Sequence, residues 1–476
     1  MKSRTIHSFV AFVTMLTMAA GCAGPATVVR SENRSTPAMY KNSSDTTTIA
    51  DINWRTYFSD PNLTALIDTA LRNNQELNIM LQEIEISKNE IRARKGEYLP
   101  FVGVGGRAAM EKEGRYTRFG AVDDNLEIKP GKAFPEPFSD FEAGAYAHWE
   151  LDIWKKLRNA KKSATMRYLS GIEGRNFMVT NLVAEISSSY YELMALDNQL
   201  EIIKQNIDIQ SSALEVIRQQ KDAARVTQLA VNRFEAQLLN TKNRQFEIQQ
   251  RIVETENRIN FLTGRFPAPI PRNSALFNQL AVDSSGTGVP SQLLSRRPDI
   301  RQAEMDLQAA KIDVMVARAN FYPSLSINAA TGFNAFNPMY LVNPESMLFN
   351  LAGEIAAPLI NRNAIKAAYS NANAKQLQAI YNYEKTILNA YCDVLNQRAK
   401  IENYSQSFQT KNQEVELLMQ SVSISNSLFN SARADYMEVL LTQREALESK
   451  IDLIEIKMKQ LDARINIYRS LGGGWR

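Results

Sequence analysis

The stretch that decides the fold is residues 182–217, LVAEISSSYYELMALDNQLEIIKQNIDIQSSALEVI. Its seam positions lie alternately four and three residues apart, and nine of the eleven are apolar. They are Leu182, Ile186, Ser189, Leu193, Leu196, Leu200, Ile203, Ile207, Gln210, Leu214 and Ile217. A period of about 3.5 residues kept over this length predicts a long helix that supercoils left-handedly against neighbouring helices.

The residues around this stretch contain few helix breakers. The 476-residue chain has only 20 Gly and 16 Pro, and residues 175–263 and 359–471 contain neither. Turns of β or α/β structure would need such residues, so both stretches are predicted to be very long helices. The four-and-three spacing of apolar residues stops after Ile217 and resumes at Val231, which predicts that the chain turns between them. A further seam with the same period follows over residues 440–468.

Composition excludes several classes of function. The formal charge is +4 from 55 basic and 51 acidic residues, so no large basic surface indicates a nucleic-acid partner. The only histidine beyond the first segment is His148, and the cysteines are Cys22 and Cys392. Most metal and nucleophile chemistry lacks its residues, which predicts no cofactor and no enzyme. No apolar run approaches the ~18 residues of a membrane-spanning helix.

The first residues predict an export signal. Lys2 and Arg4 precede a short apolar core, and residues 18–22 read Met-Ala-Ala-Gly-Cys. The Gly-Cys end resembles a bacterial lipobox, although Ala19 occupies the position where leucine is usual. Diacylglycerol and N-palmitoyl are therefore expected on Cys22, with plain signal cleavage nearby as the alternative. Cys392, in a predicted helix, is expected to be a small buried residue.

Two segments of the chain follow one plan. The matched pairs are 71–77 with 294–300 at an offset of 223, and 154–156 with 361–363 and 258–260 with 464–466 at an offset of about 207. The difference of about 16 residues predicts extra residues in the first copy, within the charged stretch 111–141. A tandem duplication is therefore expected, each copy containing a short helix, a strand pair and a long helical hairpin.

The strand pairs alternate apolar and polar residues, which suits a membrane barrel and equally a soluble sandwich. The strands are predicted at about 98–110, 142–153, 321–333 and 346–358, with polar-face candidates His148, Glu150, Asn350 and Glu354. Four strands cannot close a membrane barrel, which needs about eight. Open edges in lipid would leave backbone groups unpaired. Strands in a membrane would thus require several chains, and two, three or four chains would give about eight, twelve or sixteen strands.

Four segments together resemble the lipoprotein branch, of OprM and CusC type, of the TolC-like outer-membrane factors. They are Leu294-Ser295-Arg296-Arg297-Pro298-Asp299-Ile300, Phe321-Tyr322-Pro323-Ser324-Leu325, Trp149-Glu150-Leu151-Asp152-Ile153-Trp154 and Leu471-Gly472-Gly473-Gly474-Trp475. The resemblance runs in order along nearly the whole mature chain. It implies an α+β membrane protein, a homotrimer whose 12-stranded transmembrane β-barrel continues into a 12-helix periplasmic α-barrel.

The resemblance also implies a function. Such proteins are exit ducts of tripartite efflux systems, joined to a periplasmic adaptor (membrane fusion) protein and an inner-membrane RND-type pump. The chain would lie in the outer membrane, held by its lipid anchor and barrel in contact with outer-membrane lipid, and extend into the periplasm. Drugs, metal ions or other small toxic solutes would be the cargo, and the sequence does not name one.

The resemblance places the closed gate at the turns of the two hairpins, residues 222–227 and 431–436. The constriction candidates are Asp435, Asp222 and Tyr436, and the adaptor-docking candidates are Arg225, Arg433, Ala224 and Ala432. Solvated charges at a helix turn are the plainer interpretation. Relatives often carry glycine where this chain has Ala224 and Ala432, which leaves the turn geometry open.

Two other functions remain as alternatives. The same channel could serve type I protein secretion, and the heptads alone would permit a non-conducting coiled-coil envelope protein. The predicted organisation assigns 1–21 to a signal peptide, 22–60 to a lipidated segment of an equatorial belt and 61–264 to the first repeat. The remaining segments are 265–293 (equatorial connection), 294–471 (second repeat) and 472–476 (tail), with hairpins at 156–263 and 361–471.

Overall fold

The computed structural model describes residues 28, 30–40, 47–280, 286–431 and 433–475. The predicted signal segment, the lipidation candidate Cys22 and the tip residue Ala432 lie outside these described residues.

Helices make up most of the described chain. They are α1 (Trp54–Tyr57), α2 (Pro61–Asn73), α3 (Gln75–Glu97), α4 (Arg118–Asn125), α5 (Lys156–Asp222), α6 (Gln228–Leu262), α7 (Leu293–Arg296), α8 (Pro298–Ala319), α9 (Asn363–Asn430) and α10 (Tyr436–Ser470). The strands are β1 (Phe101–Glu111), β2 (Glu127–Lys129), β3 (Lys132–Ala133), β4 (Phe138–Leu151), β5 (Ser324–Ala335) and β6 (Met347–Ala356).

The chain divides into two compact units. The first contains Glu85–Leu169 and Met305–Ile380 with the described residues up to Ser31, and the second contains Glu32–Ile84, Ser170–Glu304 and the described part of the chain from Tyr381 onward. The sheet lies in the first unit, and both helix–turn–helix tips lie in the second.

The principal sheet has four strands in the order β1-β4-β5-β6, and every neighbouring pair is antiparallel. β4 and β5 belong to different halves of the chain, and their register is continuous from Phe141 opposite Ala335 to Leu151 opposite Leu325. β1 and β6 are the two edges of the sheet.

The strand ends differ from the predicted ones for local reasons. β1 begins at Phe101 rather than near 98, since the Leu99 N–H still bonds to the Gly96 carbonyl at 3.1 Å and Pro100 has no N–H. β4 ends at Leu151 because the Asp152 carboxylate accepts the first free N–H groups of α5. The Phe321 N–H bonds to the Arg318 carbonyl, which delays the start of β5 to Ser324.

The long helices form two hairpins with equal return helices. α5 has 67 residues and α9 has 68, about 100 Å at ~1.5 Å per residue, while α6 and α10 have 35 each. Arg258 pairs with Glu185 at 2.9 Å across the first hairpin, and Lys411 pairs with Asp452 at 3.2 Å across the second. The short helix expected in each half corresponds in position to α3 and α8, and one further helix, α2 or α7, precedes each of them.

The main apolar core lies in the second unit, where long helices meet the segments predicted to form the belt. Ile186, Tyr190 and Leu193 of α5 share this cluster with Trp54 from the N-terminal part and with Phe277 from the connection before α7. Trp475, at the end of the described chain, packs against the same cluster.

The two return helices end in matching geometry 208 residues apart. Gly264 and Gly472 both have positive φ, and a Cβ on either would meet a backbone oxygen, of Asn73 at 2.3 Å or of Arg296 at 2.6 Å. The backbone ends therefore match at an offset of 208, whereas the match of residues 258–260 with 464–466 has an offset of 206 and is two residues out of register.

Buried side chains at equivalent positions donate hydrogen bonds to carbonyl groups at the C-terminal ends of α6 and α10. Asn74 donates to the Leu262 carbonyl at 2.9 Å, and Arg297 donates to the Ser470 carbonyl at 3.0 Å. Burial alone would lower the pKa of Arg297, but its bonds to Asp299 at 2.6 and 3.0 Å outweigh that effect and raise the pKa. Arg297 therefore stays charged although it is only 6% exposed.

The structure adds one detail and corrects one prediction about single segments. The extra residues predicted within the charged stretch 111–141 include α4 and the β2–β3 hairpin. Cys392 is exposed rather than buried. The buried face of α9 contains Ala390 and Val394, and Cys392 lies between them on the opposite side of the helix.

Candidate functional site: sheet faces and hairpin tips

One face of the principal sheet is polar and collects all four polar-face candidates. His148 lies opposite Asn328, with Nδ1 2.7 Å from Oδ1, and Glu150 and Glu354 both lie opposite Ser326. Asn350 lies on the same face opposite Ala330, which is two residues beyond Asn328 on β5. Glu150 also forms an ion pair with Lys156, so one carboxylate on this face has a cationic partner.

The other face is apolar and uncovered. Val104, Phe349 and Leu351 are 84, 81 and 76% exposed, and Val102 and Ile355 are also largely exposed. The register places these residues on the face opposite His148 and Glu150. A contiguous exposed apolar face of this kind marks contact with lipid or protein.

Aromatic residues gather at the end of the sheet nearest the long helices. Trp154 stacks on Tyr322 with ring centroids 4.7 Å apart, and its indole N–H donates to the Pro323 carbonyl at 2.7 Å. The Trp149 indole N–H donates to the Tyr98 carbonyl at 3.1 Å. Such half-polar rings are typical of a membrane–water interface.

The first tip is a left-handed turn built without glycine. Ala224 has φ +57°, and the Arg225 N–H reaches back to the Gln220 carbonyl at 2.9 Å, as in a Schellman motif. Asp222 is the last residue of α5, and its exposed carboxylate lies 3.4 Å from the Lys221 ammonium. Arg225 is exposed beyond the end of the helix.

The second tip has a hydrogen bond equivalent to the one that closes the first tip. The Arg433 N–H bonds to the Leu428 carbonyl at 2.9 Å, 208 residues after the equivalent bond of the first tip. Asp435 precedes α10, and within the described residues its side chain makes no capping hydrogen bond to that helix. Both Asp435 and Arg433 are exposed.

An apolar cluster joins the two tips. Val226 of the first turn and Tyr436 of the second both pack against buried residues of the first hairpin, which include Leu214, Val231 and Phe234. Tyr436 is therefore half-buried between the hairpins, whereas Asp435 beside it projects into solvent. Of the three constriction candidates, Asp222 and Asp435 are exposed, whereas the ring of Tyr436 is half-buried in this cluster.

An exposed apolar stripe lies along α6, and the sequence pattern alone did not separate it from the buried stripe of α10. Leu239, Phe246 and Val253 are 60, 66 and 50% exposed. The residues 208 positions later on α10, Leu447, Ile454 and Leu461, are 2–5% exposed, and the last two share a cluster with α5. The same apolar stripe is thus covered on α10 by the chain itself and uncovered on α6.

Within the described residues, no helix is apolar over enough of its length to span a bilayer. Among the same residues, no group of three or more His, Cys, Asp or Glu side chains is placed to hold a metal ion.

A family profile described as Outer membrane efflux protein matches residues 66–265 and 289–473. The chain belongs to the outer membrane efflux protein family. It is consequently a protein of the bacterial outer membrane, and the activity of the family is transport rather than catalysis.

Individual relatives extend over almost the whole chain. The solvent efflux pump outer membrane protein SrpC of Pseudomonas putida is 26% identical over 420 residues, 88% of this chain and 87% of that protein. The probable outer membrane lipoprotein SilC of Salmonella typhimurium is 24% identical over 445 residues, 94% and 91% of the two chains. The open-state MtrE outer membrane channel of Neisseria gonorrhoeae has the same fold, with a TM-score of 0.82, 20% identity and coverage of 95% and 99%.

Proposed function

We propose that three copies of this chain form the outer-membrane exit channel of a tripartite efflux system. The observation that carries the proposal is a four-stranded sheet with one uncovered apolar face, one polar face and two free edges. Lipid would cover the apolar face, and the polar face would line the lumen with His148, Glu150, Asn350 and Glu354. The free edges require partners, because unpaired backbone groups in lipid cost several kcal/mol each.

The direction of the strands supports closure by identical copies. Every neighbouring pair in the sheet is antiparallel, so the edges β1 and β6 run in opposite directions. β6 of one copy can therefore pair with β1 of the next copy and keep the alternation. Three copies of four strands would give a twelve-stranded barrel, within the usual range of about 8 to 26.

The helices support the same assembly. On α10 the stripe Leu447, Ile454 and Leu461 is buried within the chain, partly against α5. If the two halves are a tandem duplication, α6 needs an equivalent neighbour for Phe246 and the rest of its stripe, and a second copy supplies it. Repeating this contact in three copies would close a ring of twelve helices, the proposed periplasmic tunnel.

The cargo and partners follow from the family and its relatives. The name of SrpC describes solvent efflux, which supports small toxic solutes as cargo here. We propose that an inner-membrane pump and a periplasmic adaptor deliver them, and that Arg225 and Arg433, exposed at the tips, contact the adaptor. Ala224 and Ala432 would lie in the same docking surface.

We further propose that the tips form the gate. Asp435 is exposed and does not cap α10, so its carboxylate is available to a central constriction in which three copies would meet. Asp222 would add a second carboxylate ring, and the packed Tyr436 would hold the two hairpins together.

Lipid on Cys22 would anchor the N-terminal segment, as the lipobox-like sequence indicates and as the lipoprotein name of SilC supports. Labelled palmitate should enter the wild-type protein and be lost in Cys22→Ser. Equal label in both proteins would exclude this site.

Conductance in planar bilayers tests the function. Purified full-length protein should form pores, and Asp435→Asn should weaken their preference for cations, measured as the reversal potential in a salt gradient. Asp208→Asn, which removes an exposed carboxylate elsewhere on α5, is the matched control and should change nothing. Protein that forms no pore in any variant would contradict the channel, whereas pores with unchanged selectivity in Asp435→Asn would contradict only the constriction.

A further inference from the structure

The loop between β1 and β4 is a small folded body with no counterpart of the same size in the loop between β5 and β6. Thr117 caps α4 by accepting from the Gly120 N–H at 3.1 Å, and β2 and β3 pair as a hairpin. Ion pairs brace this loop, Lys112 with Glu136 at 2.9 Å and Arg115 with Asp124 at 3.5 Å. The loop corresponds to the extra residues that the sequence comparison places in the first half.

This loop presents an apolar helix face outward. Phe119, Val122 and Leu126 lie three and four residues apart, so they share one side of α4 and extend just beyond its end. All three are exposed, as is Tyr116 just before the helix. The braced residue Asp124 lies on another side of α4, and within the described residues the apolar side stays largely exposed, with only the Arg118 guanidinium over the Phe119 ring.

The loop between β5 and β6 offers a complementary surface. Met339 and Val342 are 80 and 84% exposed. Asn337 and Asn343 cap its two short turns, and Ser346 Oγ donates to the Tyr340 carbonyl at 2.7 Å. The loop therefore holds two apolar side chains outward on an ordered backbone.

Both loops leave the sheet at the same end. β1 runs into the first loop at Glu111, and β6 leaves the second loop at Met347. These strands are opposite edges of one sheet. When β6 of one copy pairs with β1 of the next, Met347 of the first copy and Glu111 of the second come to the same rim, and the two loops become neighbours.

We propose that the apolar side of α4 in one copy packs against Met339 and Val342 of the adjacent copy. This contact rests on the proposed three-copy barrel and adds an interface to it. Three such contacts would form a collar around the outer mouth of the channel. Within each copy, Phe138 and Phe336 have ring centroids 6.2 Å apart and tie the bases of the two loops together, so the collar would be continuous.

Charge favours protein over lipid as the partner of α4. Helices that bind a membrane surface have a polar face rich in Lys and Arg. The polar residues of α4 are Arg118, Asp123, Asp124 and Asn125, which give it a net negative charge. Anionic headgroups would repel the two carboxylates, whereas an uncharged apolar pair such as Met339 and Val342 would not.

Disulfide trapping between two differently tagged full-length chains tests the contact. Both chains carry Cys392→Ser, because Cys392 is exposed, and keep Cys22. One chain carries Val122→Cys and the other Val342→Cys, and both are produced together and oxidised in outer-membrane fragments. A disulfide requires Cα atoms within about 7 Å, so a mixed-tag dimer on a non-reducing gel reports contact between copies.

The control replaces Val122→Cys with Asp124→Cys, on another side of the same helix. We expect several-fold more mixed-tag dimer from the 122/342 pair than from the 124/342 pair. The number of chains per particle is measured on the same samples by native mass spectrometry. Trimers that give no excess dimer from the 122/342 pair would overturn the collar and leave the proposed channel standing. Particles of a single chain would instead overturn the three-copy barrel on which the collar rests.

Discussion

At the scale of single residues, the first hairpin tip depends on an alanine in a conformation that suits glycine. Ala224 has φ +57° and closes the turn between α5 and α6. A Cβ disfavours this region by about 1 kcal/mol or more, so the surrounding turn must hold the residue there. The bonds from the Ala224 and Arg225 N–H groups to the carbonyls of the last helical turn do this.

Ala224→Gly should stabilise the folded protein, because glycine adopts positive φ without strain. The expected gain is about 1 kcal/mol, seen as a higher apparent Tm of the helical circular dichroism signal in detergent. Ala223→Gly is the matched control in the same turn, at a residue without positive φ, and should be neutral or destabilising. An Ala224→Gly protein no more stable than Ala223→Gly would show that the turn is not left-handed at residue 224.

Arg297 is a buried charged residue whose removal should lower the stability of the folded protein. Arg297→Leu would remove the bonds that Arg297 donates to the partly buried Asp299 carboxylate and to the buried Ser470 carbonyl. We expect a loss of about 3 kcal/mol, and a smaller loss for Arg297→Lys, which keeps the charge but not the two-pronged bond. Arg55→Leu, which breaks the solvent-exposed pair with Asp68, should cost less than about 1 kcal/mol. Equal losses of apparent Tm in Arg297→Leu and Arg55→Leu would show that the buried bonds of Arg297 at the end of α10 add no special stability.

Sequence could locate these residues but not their conformations. The pattern placed Ala224 in a turn, yet a left-handed alanine is indicated only by the carbonyls that its neighbours reach. Cys392 shows the same limit. Its helix was predictable from the absence of Gly and Pro, but which side of α9 is buried depends on the contacts made by Ala390 and Val394.

At the scale of elements, sequence predicts faces better than ends. Alternation with period two places His148 and Asn350 on one face of the sheet and Phe349 on the other, and the register of the sheet agrees. The ends depend on hydrogen bonds that alternation does not encode. Asp152 ends β4 by capping α5, and it gave no signal of its own in the strand pattern.

The heptad pattern predicts that an apolar stripe is present on a helix, but not whether that stripe is buried within the chain. Phe246 of α6 and Ile454 of α10 are equivalent apolar positions, yet one is 66% exposed and the other 5%. Periodicity marks a stripe for packing and does not say whether the partner lies in the same chain. The exposed member of such a pair is therefore the one that indicates assembly.

Phe246→Asp should disrupt assembly without unfolding the single chain. The ring contacts little within its own chain, so the helical circular dichroism signal should persist, whereas a carboxylate in the proposed contact between copies is unfavourable. Asn240→Asp, a change at another exposed position on a different side of α6, should assemble normally. Size-exclusion chromatography with light scattering in detergent measures the result. Assembly of Phe246→Asp at the same size as Asn240→Asp would show that the stripe is not an interface.

At the scale of the whole molecule, the similarity of the two halves supports the proposal that several copies complete the channel. The return helices α6 and α10 have the same length, and each is followed by a glycine with positive φ. The four principal strands form a single sheet with two unpaired edges. The sequence could predict that four strands do not close a barrel. It could not choose the number of copies from periodicity, because two, three and four copies satisfy the alternation equally well.

Counting the chains in the intact particle tests the central claim most directly. Native mass spectrometry of full-length protein extracted from the outer membrane should show three chains per particle, since three copies supply twelve strands and twelve tunnel helices. Particles of a single chain or of two chains would contradict the three-copy channel.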